Sequence, residues 1–332
     1  MSEKKERIVF DVAYQPQVRT NPDTRRIMLD VIIALLPAVV VAVLNFGLNT
    51  LLVIAASVAS AVFFEWGYRK FMKKHDTIGD LTAALTGLLL ALTLSPQAPW
   101  WMPVIGSFFA IVVVKQLYGG LGKNFLNPAL AGRAFLMASY AAVMGAVVVD
   151  GVTMATPLSY MKAGEMAPFT LGQMFLGTGL PGCMGEVSAL ALLVGGLYLI
   201  WKKVISWRIP VAFIGTVAVL TLIGGKSGYS NVEWMLYNLF AGGLFLGAFF
   251  MATDYATSPV TLNGQLLYGA GCGALTVLIS YFGGFPEGVS YAILIMNLCA
   301  WAIDKAFRRY QFGVTKEDIA AMKAAKKAAK KA

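Results

Sequence analysis

The first 26 positions are rich in polar and charged residues. From Ile27 onward the chain becomes a succession of apolar stretches, each about 15–20 residues long and separated by short polar breaks. Ten such stretches run near 27–45, 50–67, 80–95, 101–117, 129–149, 188–201, 209–224, 236–252, 266–284 and 289–303. Their length and continuity predict membrane helices, because a spanning helix needs about 20 consecutive apolar residues. The expected fold is therefore an all-α polytopic membrane protein. It would have a polar segment over 1–26, a ten-helix membrane domain over 27–303 and a basic tail over 304–332. The first apolar run starts too far in for a secretory signal peptide, so the first helix is expected to stay as an anchor.

Charge patterning orients these elements. With the first segment inside, 25 of the 27 Lys and Arg residues fall on inside segments, leaving Lys162 and Lys226 elsewhere. Arg69, Lys70, Lys73 and Lys74, then Lys115, Lys123 and Arg133, then Lys202, Lys203 and Arg208 mark successive inside turns. Both termini are expected in the cytoplasm. The formal charge of +10 thus reports topology and not nucleic-acid binding. The tail lysines solvate the terminus or meet anionic lipid head groups.

Ten spans divide into two sets of five, and an odd number per set inverts the second relative to the first. Ser95-Pro96 closes the third stretch on the outside, and Ser258-Pro259 closes the eighth on the inside. The longest connection, 150–187, lies outside.

Composition changes this picture little. Hydrophobic residues make up 58% and charged residues 13%, with mean hydropathy +0.68, well outside the range of soluble domains. Cys183, Cys272 and Cys299 have no metal-ligand spacing, and His75 is the sole histidine. Cys272 and Cys299 are read as small core residues. Asp30, Glu65, Asp80, Lys115, Arg133 and Asp254 lie near predicted helix ends, where snorkelling or capping is the expected role. Arg133 is the deepest, suited to pair a carboxylate or another oxygen-bearing group. No carboxylate falls at the middle of a predicted stretch, so no ion-pathway residue can be named.

Two segments carry candidate chemistry. Asp150-Gly-Val-Thr153-Met-Ala-Thr156-Pro reads as an exposed turn with Thr156 held extended before proline. Asn127-Pro128 reads as a helix N-cap followed by proline in the first turn, with Asn124 close by. Asn-Pro-Ala also invites an aquaporin-like reading. Aquaporins need two such triplets, and the second half offers Ser258-Pro259-Val260 instead.

The run from Asp150 to Thr156 resembles the flavinylation motif Asp-x-x-Ser/Thr-Gly-Ala-Thr of the Rnf and sodium-pumping quinone reductase families, with Met154 standing where the motif has glycine. The resemblance implies FMN joined by a phosphoester to Thr156 by a flavin transferase, which Asp150 would assist, with Thr153 in the motif's hydroxyl position. Asn124-Phe-Leu-Asn127-Pro-Ala is similar to the families' Asn-x-x-Asn-Pro-Ala, which implies Asn124 and Asn127 beside a noncovalent riboflavin site. The stretch from Gly283 to Asn297 and the short leader resemble the RnfD component of Rnf electron-transport complexes in particular. That likeness implies a urea-transporter-like arrangement of two inverted five-helix halves. It implies ferredoxin:NAD+ oxidoreduction coupled to outward Na+ or H+ movement. Its partners would be iron–sulfur, NADH-binding, second covalent-flavin and further membrane subunits, and the chain would not be catalytic alone. The NqrB component of a Na+-translocating NADH:quinone reductase and a small-solute permease are the alternatives.

Overall fold

In the computed structural model the regular elements among the described residues are helices, apart from a two-residue antiparallel pairing of β1 (Val148–Val149) with β2 (Val152–Thr153). The structure describes residues 23–145, 148–149, 152–163, 165–225, 229–284 and 287–307. Four helices are long and apolar enough to cross a membrane: α1 (Thr24–Phe46), α2 (Asn49–Phe71), α13 (Leu262–Phe282) and α14 (Val289–Ala306).

Four more are apolar but shorter: α3 (Thr82–Leu92), α4 (Trp101–Phe108, continued as a π-helix to Gln116), α9 (Ala189–Trp201) and α10 (Arg208–Ile223). At about 1.5 Å per residue, 16 residues reach about 24 Å, short of the roughly 30 Å hydrocarbon layer. The eighth stretch is bent by 62° between α11 (Asn231–Phe240) and α12 (Leu244–Leu246), which runs on as a π-helix to Met251. Gly242 turns this corner with φ +89°, a left-handed conformation suited to glycine. The fifth stretch breaks at Tyr140 into α5 (Pro128–Ser139) and α6 (Ala141–Gly145). Each of the ten apolar stretches contains helix, but among the described residues four helices reach a full span singly, or five counting the bent pair.

Equivalent helices of the two halves pack in matching ways. α1 lies on α9, α5 on α14, α2 on α4, and α10 on α13. Hydrogen bonds mark the two ends of the bundle. At one end Asn49 Nδ2 donates to Pro96 O (2.8 Å), beside the end of α1, where Asn45 donates to Gly177 O. At the other end the Asp304 carboxylate accepts from Val260 N (3.0 Å) and Thr261 N (3.0 Å), next to Ser258-Pro259. The second end carries the described Lys and Arg residues of the helix termini and turns, such as Arg25, Lys70, Lys123, Lys202 and Lys305. Lys162 stands alone at the first end among the described residues.

The outer surface is apolar. Leu44, Phe71, Ile223 and Phe282 are each more than three-quarters exposed, the inverse of a water-soluble surface and suited to lipid. Cys272 is buried as expected. Cys299 is not a core residue: it is exposed on α14 near Leu298 and Trp301, facing the lipid side.

Helix contact in lipid relies on small residues that let backbones approach. On α13, a Cβ at Gly269 would come within 2.7 Å of Ile209 O, and one at Gly273 within 2.8 Å of Phe213 O. A Gly273→Leu substitution must push α10 away. It is expected to cost at least about 1–3 kcal/mol, the range for overpacking, read as a lowered thermal unfolding midpoint in detergent. Unchanged stability would show that this helix pair is loosely packed.

Candidate functional site

The segment between α6 and α9 is a packed cap. It forms β2, α7 (Pro157–Ala163) and α8 (Leu171–Leu176), with Phe169, Met174, Leu180 and Val187 clustered against Ala241, and Met154 and Leu158 packed on them. Thr156 immediately precedes α7. Its carbonyl accepts from Ser159 N (2.9 Å), and its hydroxyl lies 2.8 Å from Ser159 Oγ, both groups half-buried. Proline at 157 forbids a helical Thr156 and starts the helix, so the hydroxyl stands at a fixed, accessible corner. Thr153 lies in β2, paired with Val148. Asp150 lies outside the described residues.

From this corner the chain dips inward. Residues 177–188 run back against the end of α3, where Met184 N donates to Leu94 O (3.0 Å) and Gly185 N to Leu92 O (2.6 Å). These bonds satisfy carbonyls freed by the short helix, as backbone at membrane depth requires. They also deliver Glu186 to the interior. There Arg133, in the second turn of α5, donates through Nη1 to Glu186 Oε1 (3.2 Å) and through Nη2 to Glu287 Oε2, with Cys183 Sγ 3.7 Å away. Arg133, Glu186 and Cys183 are all buried. A crevice of about 20 Å³ is lined by Thr156, Glu186, Glu287 and Gly242, so the threonine and the ion cluster share one space. That volume suffices for about one water.

Arg133 is therefore not an inside-turn charge. It sits in the protein interior, held by carboxylates arriving from the opposite end. Lys115 departs from the snorkelling expectation in the same way. It is 3% exposed and bonded to Glu65 (2.7 Å) and Thr82 Oγ1 (2.8 Å), while Thr77 donates to the other oxygen of Glu65 (2.7 Å). Both pairs hold charges that a low-dielectric interior tolerates only when compensated. Sequence reasoning missed Glu186 and Glu287 because they lie between apolar stretches. The signal that could have found them is Arg133 itself, a cation inside an apolar helix that demands a partner.

Asn127 caps α5 as predicted, its Oδ1 accepting from Ala129 N (3.0 Å) and Leu130 N (3.4 Å). It does more. Its Nδ2 donates to Met251 O (3.1 Å), tying the start of α5 to the interrupted helix of the other half. Asn124 Nδ2 donates to Leu126 O (3.0 Å). Both asparagines line a cavity of about 100 Å³ at the basic end, shared with Thr82, Lys115, Phe250 and Asp254. The structure thus keeps Thr156 and the two asparagines apart, at opposite ends of the bundle.

The sequence profile of the NQR2, RnfD, RnfE family matches residues 11–313. The chain belongs to this family. It is 49% identical to the D subunit of the Na(+)-translocating ferredoxin:NAD(+) oxidoreductase complex of Acetobacterium woodii, over 92% of this chain and 96% of that one. The D subunit of the proton-translocating ferredoxin:NAD(+) oxidoreductase complex of Clostridium ljungdahlii is 45% identical, with the same coverage. A third relative, the D subunit of the ion-translocating oxidoreductase complex of Shewanella amazonensis, is 36% identical over 92% of this chain and 99% of that one.

Proposed function

We propose that this chain is the RnfD component of an ion-translocating ferredoxin:NAD+ oxidoreductase complex, and that it carries electrons through FMN bound as a phosphoester to Thr156. Full-length likeness to two relatives named as that component supports the first part. The second part is carried by the accessible Thr156 hydroxyl at the end of the bundle opposite the basic turns. By the positive-inside rule, that end is extracytoplasmic and both termini are cytoplasmic in a bacterial or archaeal inner membrane.

The residues present fit the group. A hydroxyl fixed by Pro157 and half exposed can take a phosphoester, and the cavities around α7 leave room for what is attached. When bound, FMN supplies one-electron redox chemistry. The protein supplies position and electrostatics. Thr156 fixes the attachment point, and Arg133 offsets the carboxylates of Glu186 and Glu287 that line the same crevice. Asp150 and Thr153 are assigned to recognition by the flavin transferase.

The partners in this reading are the iron–sulfur, NADH-binding, second covalent-flavin and membrane subunits of the complex, with surrounding lipid. Noncovalent riboflavin belongs, in the same reading, beside Asn124 and Asn127. The cavity there is polar at Thr82, Lys115 and Asp254, but both asparagines already serve the chain's own backbone. The test is direct: co-express the chain with a flavin transferase and inspect a denaturing gel under ultraviolet light. A fluorescent band is expected at this chain's mass, and a dark band rejects the flavin reading.

A further inference from the structure

A second cavity lies along α7, beyond the crevice that holds Thr156. It measures about 260 Å³ and is lined by Leu158, Met161 and Lys162 of α7, Trp234 and Asn238 of α11, and Ser280, Tyr281 and Phe282 at the end of α13. Phe282 at its rim is exposed, so the space is a cleft open to the surface and not a sealed packing void. Its walls are specific. Trp234 is 3% exposed, and its indole N–H donates to Tyr281 Oη (2.6 Å), which fixes both rings at the cavity wall. Asn238 Nδ2 is used by Trp234 O (2.8 Å). Lys162 Nζ donates to Gly283 O and stands as the one described Lys or Arg at this end of the bundle.

Leu158 lines both this cavity and the Thr156 crevice, so the two are neighbours across one side chain. At about 1.5 Å of rise per residue, Leu158 to Lys162 lie about 3–9 Å along α7 from Thr156. An extended ribityl phosphate is of that same order. We infer that this cavity seats the isoalloxazine ring of the flavin attached at Thr156, with Trp234 and Tyr281 as its aromatic walls and Lys162 as its cation.

The chemistry of the lining favours this occupant over a lipid chain. Aromatic walls with a few polar groups at fixed places characterise sites for planar heterocycles. An acyl chain has no use for a lysine, an asparagine and a serine around it. A cation beside the ring also favours its reduced, anionic forms, so Lys162 would raise the midpoint potential. The inference rests on the proposed attachment at Thr156, and its test separates the two.

The experiment uses the full chain co-expressed with flavin transferase, reading flavin emission in the folded protein and again in a denaturing gel. An indole against isoalloxazine quenches its fluorescence. Wild-type protein is expected to be dim when folded and bright in the gel. Trp234→Phe, which keeps an aromatic ring but removes the indole and its bond to Tyr281, is expected to raise folded-state emission severalfold with the gel band unchanged. Ser280→Phe, which fills the cavity, is expected to expose the ring to iodide quenching. Lys162→Met is expected to lower the flavin midpoint potential. Trp207→Phe, at the opposite end, serves as control and leaves emission unaltered. An intact gel band with emission unmoved by Trp234→Phe and Ser280→Phe overturns the cavity assignment and leaves it to an acyl chain. A dark wild-type band overturns the attachment itself, and the cavity assignment with it.

Discussion

Arg133→Leu is expected to abolish accumulation of folded protein, the largest stability effect of any single substitution in this chain. The guanidinium is buried and donates to two carboxylates, Glu186 and Glu287, that reach it from segments far apart in sequence. Removing one member of a buried ion cluster costs about 3–5 kcal/mol, because the charges left behind have neither water nor a counterion. Here two carboxylates would face each other. Domains are stable by only about 5–15 kcal/mol, so most of the margin disappears. Arg133→Lys keeps the charge but loses the fork that serves both partners, and is expected to fall between. The triple change Arg133→Leu, Glu186→Gln, Glu287→Gln removes the stranded charge and is expected to recover part of the loss. Yield of monodisperse protein in detergent and the thermal unfolding midpoint measure all three. An Arg133→Leu protein as stable as wild type would show that water reaches the cluster and screens it.

That cluster also marks where the sequence stops being legible. Apolar runs and the placement of Lys and Arg reveal helices and ends, because each is a local property of the chain. The Asn127 cap is local for the same reason. The inverted halves are legible through a single paired signal, Ser95-Pro96 and Ser258-Pro259. What sequence does not carry is depth. Arg133 and Lys115 each lie within a turn or two of a helix end, where snorkelling is the ordinary expectation. Their burial depends on short helices such as α3 and on connecting segments that return into the interior, which are tertiary facts. Glu186 reads as part of an outside loop, and the bonds from Met184 and Gly185 to the end of α3 place it inside. Cys299 errs the other way: its apolar run is as hydrophobic as that of Cys272, but one face of a membrane helix meets lipid while the other meets protein. Composition cannot separate two apolar surroundings.

Thr156→Ala is expected to leave the fold intact and to eliminate covalent flavin completely, and with it ferredoxin-dependent NAD+ reduction by the assembled complex. The structural cost is small. The side chain's one hydrogen bond goes to Ser159 Oγ at a half-buried corner, and loss of an exposed-side contact of this kind is worth about 0.5–1.5 kcal/mol. Pro157 still starts α7, and the backbone bond from Ser159 N to Thr156 O remains. The chemical cost is total, since a phosphoester needs an oxygen and alanine has none. Thr156→Ser keeps an oxygen but loses the methyl group that restricts its rotation. Its labelling is therefore expected to be reduced, with the residual band reporting how strictly the transferase reads the corner. Ser159→Ala removes the hydroxyl's neighbour and is expected to leave the band. This contrast locates the bond, because Ser159 is the hydroxyl-bearing alternative 2.8 Å away. A band that survives Thr156→Ala and vanishes with Ser159→Ala would move the attachment by one helical turn. A band that survives both would mean that the flavin is held elsewhere in the chain.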